Sequence, residues 1–191
     1  MGVRNVRQLP RSERRHSILV GAARAFTTAG FAATSMEAIA EEAGVSKLLL
    51  YRHFDSKAEL YRSVLERVLE RIQEEFSDME GPGVSVRAFT KVAREDPDGF
   101  CLLWRHAARE PAFAGYAASV RAQAVHFAEG VLAPYVDPTI LGWAAETIVA
   151  FLVEAVLAWL ERGDRQRDAE FVALTTASME ALVRTWAAHA P

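Results

Sequence analysis

The segment from Lys47 to Phe54, KLLLYRHF, places cationic, aromatic and apolar side chains within a few residues of each other. Lysine and arginine bind phosphates and the guanine edge, and tyrosine and histidine hydrogen-bond phosphates. Leucine makes no hydrogen bond to a base, but it packs on the thymine methyl group. The composition of this segment therefore indicates nucleic-acid recognition, provided that its polar side chains share one face.

Helical periodicity separates the two kinds of side chain in this segment. At about 100° per residue, Leu50 and Phe54 lie within about 40° of each other and form a face that would close on Ile39 and Phe26. The remaining side chains are displayed: Leu48, Leu49, Arg52 and His53 on the opposite arc, with Lys47 and Tyr51 on the flank. If this helix is the second of a helix-turn-helix, the displayed arc faces the major groove of DNA.

The preceding residues supply the rest of such a motif. Thr34 and Glu37 have capping-box spacing and predict a helix start. Gly44 predicts a tight turn, and Ser46 can cap the helix that follows. Two short helices around a glycine-containing turn are typical of a helix-turn-helix, here at about residues 35–54.

The rest of the chain is also predicted to be helical. Alanine, leucine, glutamate and arginine are abundant, and β-branched residues are sparse, which favours an all-α fold of about nine helices. Gly30 is expected to end the first helix, which begins near Ser12. Beyond the helix-turn-helix, helices are predicted at 56–76, 84–94, 98–109, 112–133, 138–162 and 165–189.

Charge divides the chain into two parts. Through Lys57 there are nine Lys and Arg against five Asp and Glu, a net charge of +4, and the remainder carries −7. A basic part on an acidic body indicates that the basic part binds a polyanion. We predict a flexible basic arm at 1–11, a DNA-binding head at 12–57, and a body at 58–191 for ligand binding and dimerisation.

Catalytic and metal-binding patterns are not found in the sequence. Cys101 is the single cysteine and has no paired His or Asp motif that would mark a nucleophile. His106 and His126 are isolated, so neither a metal site nor a cofactor is expected. Glu146 and Glu154 interrupt the longest apolar stretch, which argues against a membrane span. Without a signal peptide pattern, we expect a cytoplasmic protein that is not an enzyme.

The residues from Arg14 to Leu65 resemble the DNA-binding domain of the tetracycline-repressor (TetR) family of bacterial regulators. The resemblance rests on Ile-Leu, Ala-Ala and Phe in the first helix, then Gly-Phe, Thr-Ser, Ile-Ala, Ala-Gly-Val-Ser and Leu-Tyr-x-His-Phe-x-Ser-Lys, in that order. It implies an all-helical homodimer, often a repressor, that binds a palindromic operator and is released by a small molecule. By position, the DNA contacts would be Thr34, Lys47, Leu48, Leu49, Tyr51, Arg52, His53 and Lys57.

Leu48 and Leu49 depart from the family pattern. The family often has a small residue followed by Thr or Ser at these positions, and the hydroxyl commonly contacts the DNA backbone. Two leucines shift the expected recognition toward apolar contact with thymine methyl groups.

Two further sets of residues in the body are candidates for a dimer interface and a ligand pocket. The last two helices carry apolar stripes at helical spacing and, by the same resemblance, would form a four-helix interface: Phe151, Leu152, Ala155, Val156, Trp159, Leu174, Ser178, Leu182 and Trp186. The middle helices carry aromatic and polar side chains that can line a cavity: Phe100, Cys101, Trp104, Phe113, Tyr116, His126, Phe127 and Trp143. An ordinary intramolecular core would use many of the same residues.

The sequence therefore predicts a ligand-responsive regulator of transcription, with a repressor as the expected form, double-stranded DNA and a second copy of the chain as partners, and a small apolar or aromatic effector. The alternative is a helical module that binds a small molecule or a protein and carries a vestigial DNA-binding head.

Overall fold

The computed structural model describes residues 11–78 and 83–188, and within these ranges all regular structure is helical. The all-α prediction is confirmed. The described α-helices are α1 (Arg11–Ala33), α2 (Met36–Glu42), α3 (Lys47–Tyr51), α4 (Lys57–Asp78), α5 (Val84–Glu95), α6 (Pro97–Cys101), α7 (Ala114–Leu132), α8 (Leu141–Arg162) and α9 (Asp168–Ala187). The predicted arm, apart from Arg11, lies outside the described residues, as do 79–82 and the last three residues.

Helix α1 is shaped by two glycines. At Gly30 the backbone takes φ 79° and ψ 163°, a conformation essentially restricted to glycine, so the main run of the helix ends there as predicted. Gly21 allows close approach instead, because a Cβ at this position would lie 2.7 Å from the Cα of Ala43. The end of α2 therefore packs directly on the backbone of α1.

The turn between α2 and α3 has the geometry expected of a helix-turn-helix. Gly44 has φ 65°, and its N–H donates to the Glu41 carbonyl at 3.0 Å, while the Val45 N–H donates to the Ala40 carbonyl at 2.9 Å. These two hydrogen bonds around a left-handed glycine close the C-terminus of α2. The Ser46 hydroxyl then accepts the Leu49 N–H at 3.2 Å and caps α3, as predicted.

The predicted capping box at the start of α2 is wrong by one residue. Ser35, not Thr34, is the N-cap, and its hydroxyl accepts the Ala38 N–H at 3.1 Å. Because the cap is Ser35, Glu37 lies one position too early to complete the box. At the start of α4 the Ser56 hydroxyl accepts the Glu59 N–H, and the Glu59 carboxylate accepts the N–H of Asp55 rather than that of Ser56.

Between α6 and α7 the chain contains a π-helical turn, Leu102–His106, followed by a 3₁₀ turn, Ala107–Arg109. The sequence predicted one continuous helix at 98–109. Asp96 caps α6 by accepting the Gly99 N–H at 3.2 Å, and Pro97 occupies the first helical position. A π-helical turn is rare and often marks a functional site.

The head and the body share a continuous core of buried apolar side chains that extends from Ile18 to Phe171. At their junction Tyr61 of α4 stacks on Phe113 with ring centroids 4.2 Å apart, and Phe31 lies edge-on to both rings. The Glu110 carboxylate also accepts the Phe31 N–H at 3.4 Å. The end of α1 is thus fixed to the segment that follows the π-helical turn.

Helix α8 is the one described helix long and apolar enough to cross a membrane, judged by length and composition alone. Of its 18-residue apolar window, 44% is buried within the fold, where it packs against α5, α7 and α9. Core helices of folded domains meet the same criteria, so length and composition alone do not indicate a membrane span.

Candidate nucleic-acid interface

Helix α3 has the two faces that its sequence predicts. Leu50 and Phe54 are 0% and 1% exposed, and Ile39 and Phe26 are also buried in the core beneath them. On the other side, Leu48 is 67% exposed. The displayed face of the head is defined by its exposed residues, Lys47, Leu48, Tyr51 and Arg52, with Leu49 and His53 half-buried at its edges.

Lys47 is held in place by two contacts. Its ammonium donates to the Glu37 carboxylate of α2 and lies 5.9 Å from the centroid of the Tyr51 ring. The hydrogen bond lowers the pKa of the Glu37 carboxyl and raises the pKa of the Lys47 ammonium. Both side chains are more than half exposed, so a DNA phosphate can compete with Glu37 for this cation.

Lys57 supports the head from within. Its ammonium donates to the carbonyls of Phe31, Ala32 and Thr34 at 2.6, 3.3 and 2.8 Å and lies 4.5 Å from the Phe31 ring centroid. These carbonyls belong to the end of α1 and the connection to α2, where intrahelical donors run out. The three protons of the ammonium are therefore used inside the protein, and a phosphate contact by Lys57 would require breaking this arrangement.

Thr34 is also part of the internal frame. It is 3% exposed, and its hydroxyl lies 2.6 Å from the Gly30 carbonyl and 3.3 Å from the Ala25 carbonyl. The side chain thus closes the end of α1 around the Gly30 turn. In this position it does not face solvent, so the structure places it apart from the displayed face.

Helices of the body line a cavity of about 780 Å³ that is partly open to solvent. Its walls come from α4, α5, α7, α8, α9 and Trp104 of the π-helical turn, and they are mainly apolar. Of the eight predicted ligand residues, Trp104 and Phe127 line this cavity. Sequence reasoning missed the α4, α5 and α9 contributions, including Phe76, Phe89 and Met179, because it considered only the middle helices and Trp143 of α8.

The other six predicted ligand residues lie elsewhere. Phe100 and Phe113 are buried in the core, Cys101 and Tyr116 are half-buried outside the cavity lining, and His126 and Trp143 are exposed. Burial raises the pKa of the Cys101 thiol and lowers the pKa of the His106 imidazole. Within 11–78 and 83–188, no group of three His, Cys, Asp or Glu side chains is placed to hold a metal ion.

The predicted dimer residues divide between the inside and the outside of the chain. Leu152 and Val156 are buried, and Trp159 stacks on Phe171 and donates its indole N–H to Asp168 at 2.7 Å. Leu152, Val156 and Trp159 thus pack within the chain, as the alternative of an ordinary intramolecular core expects, and their place in a dimer interface stays a prediction. Phe151, Ala155, Leu182 and Trp186 are half-buried, and Leu174 and Ser178 are exposed.

Apolar side chains are also exposed on the solvent-facing sides of α8 and α9. Trp143 is 59% exposed and lies edge-on to Trp186 at 5.2 Å, which joins the start of α8 to the end of α9. We call this surface the outward face, and it comprises Trp143, Ala158, Leu174, Ala177, Ser178 and Ala181, all exposed, with Trp186 at its edge.

The architecture defines a helix-turn-helix head on an all-helical body, the class of many DNA-binding regulators. Residues 18–64 match the family model described as "Bacterial regulatory proteins, tetR family". The head of the chain is thus a DNA-binding domain of the TetR type, as its sequence resemblance predicted.

Curated relatives extend the similarity beyond the head. The chain is 35% identical over 113 residues to the HTH-type transcriptional activator FasR of Mycolicibacterium smegmatis, covering 55% of this chain and 52% of FasR. It is 34% identical over 101 residues to the HTH-type transcriptional regulator RutR of Escherichia coli, covering 48% of each. The chain thus spans about half the length of the curated relatives it matches.

Solved structures match nearly the whole fold. A TetR-like transcriptional regulator from Rhodococcus sp. RHA1 aligns with a TM-score of 0.79 at 23% identity, covering 96% of this chain and 100% of that one. A transcriptional regulator from Aquifex aeolicus VF5 aligns with a TM-score of 0.71 at 20% identity, covering 88% and 98%. At these identities the similarity establishes the fold.

Proposed function

We propose that this chain is a ligand-responsive, sequence-specific regulator of transcription that binds a palindromic operator as a homodimer in the cytoplasm. The observation that carries the proposal is the displayed face of α3. Cationic, aromatic and apolar side chains project from a helix whose opposite side is anchored by Leu50 and Phe54. A helix of this kind, presented by a helix-turn-helix, fits the major groove.

The side chains of the displayed face would contact different parts of the DNA. Lys47 and Arg52 are exposed cations that reach phosphates or the guanine edge, and Tyr51 offers a hydroxyl to the phosphate backbone. Leu48, the most exposed of the leucines, packs on a thymine methyl group, with Leu49 beside it. Thr34 and Lys57 act on DNA binding indirectly, by holding the end of α1 and the start of α2 in place.

The homodimer is supported by the outward face. Exposed tryptophan and leucine side chains surrounded by alanines on two long helices are typical of a surface that a partner covers. Two copies of α8 and α9 would pack as a four-helix interface around a two-fold axis. The head of each copy would then bind one half of a palindromic operator.

The effector is supported by the cavity, whose volume lies within the range of small-molecule sites. Helix α4 connects it to DNA binding: Lys57 at its first turn holds the end of α1, while Leu69, Ile72 and Phe76 further along the same helix line the cavity. An apolar or aromatic effector that binds one position of α4 better than another shifts the head accordingly.

The proposed action is repression, and the relatives leave its sign open, since FasR is named an activator and RutR a regulator. In vitro transcription from a promoter that carries the selected operator decides the matter. Lower transcript yield with added protein supports repression, and higher yield identifies an activator.

Selection from random DNA tests the proposal directly. We expect a palindromic consensus sequence that the protein binds less tightly as the salt concentration rises. Each neutralised phosphate contributes about −0.9 to the slope of log binding constant against log salt concentration. The Tyr51→Ala/Arg52→Ala variant should bind it more weakly while keeping its thermal midpoint. Arg162→Ala, an exposed arginine of the body, serves as the control. Absence of any preferred sequence, together with ligand binding by the body, would favour the vestigial-head alternative.

The dimer is tested by sedimentation of matched variants. Leu174→Glu places a charge on the outward face, and Val131→Glu places one on a comparably exposed site of α7. We expect Leu174→Glu to be monomeric and to lose affinity for the full palindrome, whereas Val131→Glu stays dimeric. The reverse result would move the interface to α7.

A further inference from the structure

The cavity has an aromatic wall that leads from solvent to the interior. Phe127 is 55% exposed and contacts Phe76 edge-on at 5.3 Å, and Phe76 in turn contacts Phe89 at 6.4 Å. Phe89 lies 5.5 Å from Trp104 with the rings tilted by 35°. All four side chains line the cavity, so a ligand that enters beside Phe127 meets aromatic surface as far as Trp104.

Trp104, at the end of this wall, carries a hydrogen-bond donor. Among the described residues its indole N–H has no hydrogen-bond partner, and the nitrogen is also closed off from the cavity, so an acceptor on a ligand meets it only when the indole turns toward the cavity. Indole nitrogen is a donor only, so an acceptor is the one group that satisfies it. A buried donor without a partner carries a desolvation penalty, and in native proteins such groups are uncommon. The penalty favours any ligand that brings an acceptor to this position.

The backbone around Trp104 gives independent support for a site here. Trp104 lies within the π-helical turn Leu102–His106, and the 3₁₀ turn that follows leads to Glu110, the acceptor of the Phe31 N–H. Single π-helical turns within helices are frequently found at functional sites. The tryptophan that meets the cavity is therefore carried by the segment that contacts the end of α1.

Charge limits the chemistry of the buried end of the ligand. Of the described residues that line the cavity, Glu180 and Arg184 are the charged ones. Both are exposed, and they face each other at 3.6 Å. An ionised carboxylate or phosphate beside Trp104 would lack a buried counter-charge, and burying such a group is costly. The acceptor must be a neutral oxygen.

We propose that the effector is an uncharged, mainly aromatic or apolar molecule with a neutral carbonyl, ester or ether oxygen, and that this oxygen accepts the hydrogen bond of the Trp104 indole. Trp104 is then the residue that selects among apolar ligands of similar shape. This assignment rests on the effector cavity proposed above, and it adds the chemical class and the orientation of the ligand.

Two probes of matched shape test the assignment. Benzophenone carries a carbonyl oxygen between two rings, and diphenylmethane has a methylene at the same position. Their affinities for the full chain are measured by calorimetry without DNA. We expect benzophenone to bind about 2- to 10-fold more tightly, the range of one net hydrogen bond. Equal affinities, or no binding of either probe, would overturn the assignment.

Two variants identify the donor. Trp104→Phe keeps an aromatic ring and removes the N–H, so it should bind both probes equally, and any change in its affinity for diphenylmethane measures the loss of ring surface alone. Thr176→Val is the control, because Thr176 also lines the cavity and its shielded hydroxyl also has no partner among the described residues. Loss of the preference in Thr176→Val, with its retention in Trp104→Phe, would place the acceptor at α9 and refute the role of Trp104.

A separate measurement distinguishes this assignment from the proposed regulation. Release of the selected operator by benzophenone is followed by fluorescence anisotropy in wild type and in Trp104→Phe. Binding with the expected preference but without release supports the assignment and contradicts the effector mechanism. Release that is equally strong with diphenylmethane supports the effector mechanism and contradicts the role of Trp104.

Discussion

The head and the body use buried space differently. Beneath the displayed face, Leu50 and Phe54 are almost wholly enclosed, whereas the body surrounds a cavity of about 780 Å³. The described buried side-chain atoms without a partner are the Tyr61 hydroxyl, the Trp104 indole nitrogen and the Thr176 hydroxyl, and all three belong to the body. The head is thus packed to present one surface, while the body retains space that a ligand can fill and buried polar groups without a partner.

The same difference appears in how polar groups are placed. In the head, Ser35, Ser46 and Ser56 each accept a backbone N–H at a helix start, and Lys57 satisfies carbonyls at a helix end. Such caps fix the angle at which each short helix begins. The geometry of the head is thus determined by contacts within the head. Under the proposed function, ligand binding in the body would act on the head through α1 and α4.

The largest expected effect is on the free energy of unfolding, and it is seen by replacing one leucine in the head and one in the body. Leu50→Ala should lower the free energy of unfolding by about 3–5 kcal/mol, because it opens a void in an enclosed core. Leu152→Ala, at a site that is equally buried but lines the cavity, should cost about 2 kcal/mol, since fewer packed atoms lose contacts. Urea unfolding measures both, and equal costs would contradict the difference in packing.

A smaller effect is expected from the cation that holds the head. Lys57→Met should destabilise the protein by about 1.5–3 kcal/mol, because three carbonyls lose a charged donor, and it should weaken operator binding as well. Lys47→Met is the matched control, with an exposed ion pair to Glu37 and little expected change in thermal stability. If both variants kept full stability, Lys57 would be a surface cation and the phosphate contact first assigned to it would regain support.

Replacing the displayed leucines should change which operator sequence is preferred, rather than weaken binding to every DNA sequence. Replacing Leu48 and Leu49 by Gly and Thr should change the preferred base at one or two positions per half-site, with about 1–3 kcal/mol of discrimination at each. A Leu48→Met/Leu49→Met variant retains apolar contact and should keep the original consensus. Selection from random DNA gives both results, and an unchanged consensus in the Gly-Thr variant would remove the leucines from base recognition.

The smallest expected effect is acid-dependent and lies in the body. Burial acts to raise the pKa of Asp168, but the hydrogen bonds from Arg94 and Trp159 outweigh it and hold that pKa below its ordinary value. Because the folded-state pKa is depressed, this contribution is present above the unfolded pKa of about 3.9 and is lost as pH falls through the folded value. Asp168→Asn should cost about 1 kcal/mol at pH 7.

Thermal midpoints measured from pH 7 to pH 2 check the sign of this linkage. The difference between wild type and Asp168→Asn should stay constant down to about pH 4 and shrink below it. Asp164→Asn provides a control on the same connection between α8 and α9. A difference that grows toward low pH would contradict the depressed pKa.

Sequence patterns predicted the head well because its determinants are local. A period of 3.6 residues places Leu50 and Leu48 on opposite sides, and Gly44 supplies the turn. The error at Thr34 has a physical cause: Thr34 and Ser35 are adjacent hydroxyl residues, and either one fits a cap. The backbone at Gly30 decides between them, since it directs the Thr34 hydroxyl to the carbonyls at the end of α1.

The body was predicted less completely because its determinants are distant in sequence. Helix α8 is apolar around most of its circumference, so periodicity did not show that Leu152 and Val156 face inward while Trp143 faces outward. The cavity is a space between α4, α5, α7, α8 and α9, and no local pattern describes such a space. Within the π-helical turn at Leu102–His106, Trp104 packs against Phe89 and Phe100, and no local sequence pattern marked this turn.

The contact between Gly21 and Ala43 has a consequence for how this regulator can diverge. Backbone lies against backbone there, so any side chain added at Gly21 would force α1 and α2 apart. New operator preferences can therefore accumulate by exchanging the side chains on α3, while the scaffold that presents them tolerates almost no drift at these two positions. Proteins descended from this one should therefore differ in operator sequence preference long before they differ in the packing of α1 on α2.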